Sequence, residues 1–136
     1  MSDKIRVLVM DDEDLIRDLA QEMLTLMGYE VALASTGEEV IDFCRQAGEQ
    51  GRPYDLVIMD LNVPGSLGGK GAILKLREMN LDLKAVVSSG YSNDSVMSNC
   101  RAYGFDAVIP KPYKMQELKE VITKVLRGVE TCIQRT

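Results

Sequence analysis

Four polar segments interrupt the apolar pattern of this chain and could do chemistry: Asp11-Asp12-Glu13-Asp14, Asp60, Ser88-Ser89 and Lys111-Pro112. Each stands at or just past the end of an apolar run. Taken singly, each has an ordinary structural explanation. The acidic run could cap a helix and complement its dipole. Asp60, ahead of Pro64-Gly65, could be a turn residue, Ser88 a loop hydroxyl and Lys111 a solvated charge. Brought onto one rim they would form something more specific. Crowded carboxylates raise one another's pKa values unless a cation neutralises them. Oxygen donors with no His or Cys nearby favour Mg²⁺ or Mn²⁺ over zinc. A divalent ion, an ammonium and a hydroxyl around one further carboxylate are the equipment for phosphoryl transfer, with that carboxylate as nucleophile.

Composition narrows the alternatives. The 136 residues suffice for one domain with a core, and 46% apolar with 27% charged residues is a globular balance. The formal charge of -5 disfavours direct nucleic-acid binding, because a phosphate backbone repels an acidic surface. No apolar run approaches the roughly 18–20 residues of a membrane span, and the start carries no signal-peptide core. Histidine is absent, which removes Ser-His-Asp and Cys-His catalysis, His-ligated metals and a phosphohistidine carrier within this sequence. Cys44, Cys100 and Cys132 form no C-x-x-C pair. Their odd number and the missing secretory signal predict reduced thiols and a cytoplasmic setting.

Positioning the polar segments requires a particular sheet. Apolar runs at Ile5–Met10, Tyr29–Ala34, Asp55–Met59, Lys84–Val87 and Asp106–Ile109 read as strands. Helical patterns lie between and after them at about 14–27, 37–50, from the loop 61–69 to about 80, 93–103 and 115–127. Alternation of strand and helix predicts an α/β domain with a parallel sheet. Strands one, three and four are continuously apolar and belong in the centre; strand two is mixed and strand five short, which suits edges. The order 2-1-3-4-5 with right-handed crossovers satisfies this, a doubly wound (βα)5 sheet. Its site should lie beyond the strand ends, between strands one and three. One domain over 1–127 and a tail over 128–136 are expected.

Asp11-Asp12, Asp60, Ser88 and Lys111-Pro112, in this order at successive strand ends, resemble the signature of receiver domains of two-component response regulators, a flavodoxin-like fold. The resemblance spans about Ile5 to Arg127. It implies that Asp60 is the phosphoacceptor and forms an acyl phosphate. It implies that Asp12 binds Mg²⁺ directly, Asp11 through a water, and Asn62 through its backbone carbonyl. It further implies that Ser88 hydrogen-bonds a phosphoryl oxygen and that Lys111 pairs with another, ahead of a cis Lys-Pro peptide. Ser88 is preferred to Ser89 because it directly follows the apolar run. Tyr113 matches the aromatic that commonly follows Lys-Pro. Val108 departs from the pattern, since an aromatic is frequent there, and a valine has no ring to swing inward, which leaves the form of the switch open.

The wording around Val63–Lys70, Ser88–Asp94 and Tyr103–Asp106 resembles receivers fused to hybrid sensor histidine kinases. The Gly-rich loop 65–71 is no Walker motif, because Pro64 and Gly71 occupy positions that need Gly and Ser or Thr. It is read as a turn beside the metal. An FMN binder would have its phosphate repelled by Asp11–Asp14. A haloacid-dehalogenase-like phosphatase could use Asp12 and Asp14 as D-x-D, but it lacks that family's later acidic pair. A degenerate receiver would need a lesion in the signature, and none is present.

The resemblance thus implies a signalling phosphoacceptor, which catalyses only its own phosphoryl transfer and dephosphorylation. Its donor would be a sensor histidine kinase or a histidine phosphotransfer domain. Downstream proteins would meet the fourth helix, fifth strand and fifth helix, and the nine residues from Gly128 to Thr136 leave no room for a DNA-binding effector.

Overall fold

Val7 and Val9 point to one side of the first strand, β1 (Arg6–Met10), Leu8 and Met10 to the other, and all four are fully buried. That alternation is the pleat of a strand covered on both faces. In the computed structural model of the chain, residues 4–79, 82–90, 96 and 99–128 are described. The other strands are β2 (Glu30–Ala34), β3 (Leu56–Asp60), β4 (Lys84–Ser89) and β5 (Ala107–Pro110). They form one all-parallel sheet in the order β2-β1-β3-β4-β5, as the apolar runs predicted.

Two cores result. On one face Leu8, Met10, Val57, Met59, Ala85 and Val87 pack against helices α2 (Gly37–Glu49) and α3 (Gly69–Glu78). On the other, Val7, Val9, Leu56, Ile58 and Val86 meet α1 (Asp14–Leu26) and the C-terminal helix (Met115–Leu126). The helices present buried stripes at helical spacing: Ala20 and Leu24 on α1, and Leu118, Ile122 and Val125 on the C-terminal helix. Burying one such aliphatic side chain contributes about 1.5–3 kcal/mol. These two stripes therefore hold the strand ends in a common frame.

Three departures from the sequence expectations bear on the site. Strand β4 runs on to Ser89 instead of stopping at Val87, because its ladder continues: Ser88 pairs with Asp60 on one side and Ile109 on the other. Backbone pairing fixes a strand end, and it is indifferent to the change from valine to serine side chains. The helix expected over 93–103 lies partly outside the described residues; within it Val96 is helical and Cys100–Tyr103 form a 3-10 turn ended by Gly104 at φ 102°. Cys100 is disulfide-bonded, whereas Cys44 is a free, buried thiol, so the expectation of reduced thiols fails at Cys100. An odd count guarantees one thiol left over and says nothing of the rest.

The loop between β3 and α3 is docked on the start of α2. Gly37 N–H donates to the Leu67 carbonyl at 2.6 Å, and Leu67 N–H to Glu38 Oε1 at 3.0 Å. A Cβ on Gly37 would lie 2.6 Å from the Leu67 carbonyl oxygen, while one on Gly48, in the same helix, would meet nothing within 4 Å. Gly37→Ala is therefore expected to destabilise the fold by about 1–3 kcal/mol. Gly48→Ala is expected to stabilise it by about 0.5–1 kcal/mol through helix propensity. Urea unfolding of the two variants, with opposite signs predicted, is the check.

Candidate functional site

Asp11 follows β1, Asp60 ends β3, Ser88 and Ser89 end β4, and Lys111 follows β5. Parallel strands in this order bring all these C-terminal ends to one edge. Asp11, Asp12 and Asp60 each offer a carboxylate oxygen, and the three oxygens lie within 4.8 Å of one another. Lys111 Nζ reaches Asp11 Oδ2 at 2.9 Å, Asp60 Oδ2 at 3.4 Å and Glu13 Oε1 at 3.8 Å. The peptide Lys111-Pro112 is cis, as the resemblance implied.

No side chain of the acidic run caps α1, whose N-cap is Glu13, although Asp14 stands in its first turn; Asp11 instead closes the turn that leads into the helix. Asp11 Oδ1 accepts the Glu13 N–H at 2.9 Å, and the Asp11 carbonyl accepts a bond from Arg17 at 2.7 Å. Its other carboxylate oxygen is the one that meets Lys111, so a single buried side chain serves both the helix start and the cluster. Asp12 is exposed at the mouth. Asp14, the second acid of a hypothetical D-x-D pair, opens α1, is exposed and pairs with Arg17. It takes no part in the cluster.

A cleft of about 490 Å³ opens over these groups, lined by Asp12, Glu13, Asp60, Asn62, Ser89 and Lys111 among others. Asn62 thus stands at the edge of the acidic group, on the loop where the resemblance implied a carbonyl ligand. Gly69 matters here: a Cβ on it would come within 2.7 Å of the Asp60 carbonyl oxygen. The chain after β3 can fold back close to Asp60 because that position is glycine. Ser88 is fully buried and sits behind the cleft; its neighbour Ser89 lines it. Two contacts escaped the sequence reading, Glu13 to Lys111 and the hydrogen bond from the Tyr113 hydroxyl to Ser88 Oγ at 3.0 Å. Glu13 was in view as part of the acidic run, but no sequence signal tied Tyr113 to Ser88.

Charge is out of balance. Asp11, Asp12 and Asp60, with Glu13 3.8 Å from the same ammonium, share the single positive charge of Lys111, so negative charge is in excess in a half-enclosed space. The protein relieves part of this on Asp60, whose carboxyl is pushed up to about 6 by burial, opposed by Lys111 and assisted by Asp11 and Asp12. Burial pulls the Lys111 ammonium down, but its bonds to Asp11 and Asp60 outweigh that and its pKa ends above the ordinary value. An all-oxygen donor set with that charge deficit fits a hard divalent cation such as Mg²⁺.

The response regulator receiver domain family model matches residues 7–123. The osmosensing histidine protein kinase SLN1 of Saccharomyces cerevisiae is 26% identical over 88% of this chain, which spans 10% of that protein. The probable transcriptional regulator ycf27 of Porphyridium aerugineum is 32% identical over 93% of the chain, half of its own length. Among solved structures, a CheY-like receiver domain protein from Methanospirillum hungatei JF-1 superposes with a TM-score of 0.76 at 26% identity, covering 92% of this chain and 95% of that one.

A folded pKa for Asp60 above its ordinary 3.8 means that the folded state holds this proton more tightly than the unfolded state does. The resulting stabilisation is complete below about pH 4 and is lost as pH rises through about 6. In metal-free protein, the permanently neutral Asp60→Asn should therefore be about 1–3 kcal/mol more stable than wild type at pH 7.5. The gap should close near pH 4. Urea titrations in EDTA at the two pH values measure it, and equal stabilities at pH 7.5 would contradict the charge imbalance.

Proposed function

The chain belongs to the response regulator receiver domain family, and on that premise we propose that it accepts a phosphoryl group from a phosphohistidine donor onto Asp60. The observation that carries this reading is the meeting of Asp11, Asp12 and Asp60 with Lys111 at the mouth of an open cleft. Receiver domains generally bind Mg²⁺, and Asp11, Asp12, Asp60 and the Asn62 carbonyl are the groups that would hold it here. The bound ion supplies positive charge that neutralises phosphoryl oxygens and keeps the Asp60 carboxyl ionised.

The remaining work falls to the chain's own side chains. A carboxylate oxygen of Asp60 attacks phosphorus in line. The new O–P bond forms as the P–N bond to the donor imidazole breaks, and the leaving nitrogen keeps the electron pair. Lys111 holds Asp60 in place before the reaction, and its ammonium follows the negative charge onto a phosphoryl oxygen. Ser88 donates to another. The product is an acyl phosphate, which water later hydrolyses.

Because the sequence holds no histidine, the donor is a separate group: a sensor kinase or a histidine phosphotransfer domain, in another protein or elsewhere in a longer chain. Likeness to a histidine kinase such as SLN1 supports that choice of partner. The phosphorylated form then signals through the segment from Val96 through β5 to the C-terminal helix, by shifting the balance between two forms.

With acetyl phosphate and Mg²⁺, wild type should gain one phosphoryl group that maps to Asp60, and Asp60→Asn should gain none. Lys111→Ala should still bind Mg²⁺ but react about 10²-fold more slowly, the usual cost of losing one charge-stabilising donor. Intact-mass time courses and a metal titration test both. Stoichiometric labelling of Asp60→Asn would place the acceptor elsewhere.

A further inference from the structure

Tyr113 lies two residues beyond Lys111 and is 3% exposed, its ring packed in the core shared by Ile109, Leu118 and Ile122. Its hydroxyl donates to Ser88 Oγ at 3.0 Å, and Ser88 Oγ in turn donates to the Met59 carbonyl at 3.5 Å. Ser88 is fully buried and is the Cα partner of Asp60 across the β3–β4 ladder. The strand parity that places Ile58 and Val86 in one core puts Asp60 and Ser88 on that same face.

A serine hydroxyl has one proton and two lone pairs. With the Tyr113 proton on a lone pair, Ser88 has its own proton to offer, and that proton is poorly committed. At 3.5 Å the bond to Met59 is near the outer limit of a hydrogen bond, well beyond the roughly 2.7–2.8 Å preferred between oxygens. An anionic oxygen arriving beside it is a better acceptor than a strand carbonyl, since charge-assisted bonds are about twice as strong.

We propose that Tyr113 is a positioning residue for phosphoryl acceptance, which fixes Ser88 as a hydrogen-bond donor toward Asp60. The inference rests on Asp60 being the acceptor. Tyr113 never touches the phosphoryl group. It holds the Ser88 oxygen in place from behind, polarises its O–H, and lets the proton swing from the Met59 carbonyl to a phosphoryl oxygen with no other bond broken. Without the tyrosine hydroxyl, the buried Ser88 oxygen has an unpaired acceptor site and is free to turn away. Val108, on the neighbouring strand, has no polar group to take its place. The relay therefore comes from the other side of Lys111.

The test uses the full chain as wild type, Tyr113→Phe, Ser88→Ala and the double variant, each reacted with acetyl phosphate and Mg²⁺ and followed by intact mass. Tyr113→Phe should slow phosphorylation about 3- to 10-fold, the effect of one buried hydrogen bond. Ser88→Ala should slow it at least as much, and the double variant should match Ser88→Ala within about twofold. In a Ser88→Thr background, which keeps a hydroxyl, Tyr113→Phe should again slow the reaction. A purely structural role for Tyr113 would make its effect the same in every background, and that result overturns the proposal. So does a wild-type rate for Tyr113→Phe. If wild type itself takes up no phosphoryl group, the acceptor reading fails separately. Urea unfolding of the same four proteins then decides the Ser88–Tyr113 coupling, non-additive effects supporting it and additive ones overturning it.

Discussion

One ammonium facing three carboxylates at the end of a parallel sheet is the constraint on which the rest depends. Lys111 bonds Asp11 at 2.9 Å and approaches Asp60 at 3.4 Å, and Asp12 stands close by at the mouth. Such a group cannot be neutral without a further cation and cannot be fully charged without strain. The excess has a sign, negative, and a place, the mouth of an open cleft. A divalent cation relieves it, and with that cation in place an anionic phosphoryl group can approach. A structural cluster would instead close the cleft and pair each carboxylate with its own donor.

Keeping like charges together requires a rigid frame, and the two cores supply it. Strands β1 and β3 are buried on both faces, so their ends cannot drift apart without opening both cores. On flexible ground the acids would move apart and their repulsion would weaken. Docking of the β3–α3 loop on α2, through Gly37 and Glu38, completes the frame on the side where Asn62 stands.

Most of this arrangement was legible in the chain. Continuous apolar runs at β1, β3 and β4 mark strands covered on both faces and so the central three; the observed order satisfies that pattern, and the family resemblance implied it. Once the order is known, Asp11, Asp60 and Lys111 must share an edge. What could not be read is where pairing outlasts the apolar pattern. Ser88 and Ser89 look like the start of a loop, yet they belong to β4, because backbone hydrogen bonds to neighbours extend beyond the last valine. The disulfide at Cys100 was equally hidden, since spacing alone does not bring sulfurs together. Glu13 and Tyr113 were visible as residue types, but their partners are set by side-chain direction, which sequence patterns carry only through strand parity.

One short loop beyond β5 joins two environments. Lys111 turns its ammonium to the acids, while Tyr113, just past Pro112, turns its ring into the core formed with the C-terminal helix. Its hydroxyl crosses back to Ser88 on the strand beside Asp60. The two ends of this three-residue segment thus border Asp60 differently: Lys111 by its ammonium, Tyr113 by a hydrogen bond to the serine that pairs with Asp60 across the ladder. Both contacts are largely buried, and salt screens them less than it would a surface pair. The core residues Ile109 and Leu118 that pack with Tyr113 belong to β5 and the C-terminal helix. Any adjustment of the Tyr113 ring is thus passed to those two elements by packing, since a close-packed interior leaves no slack in which to absorb it.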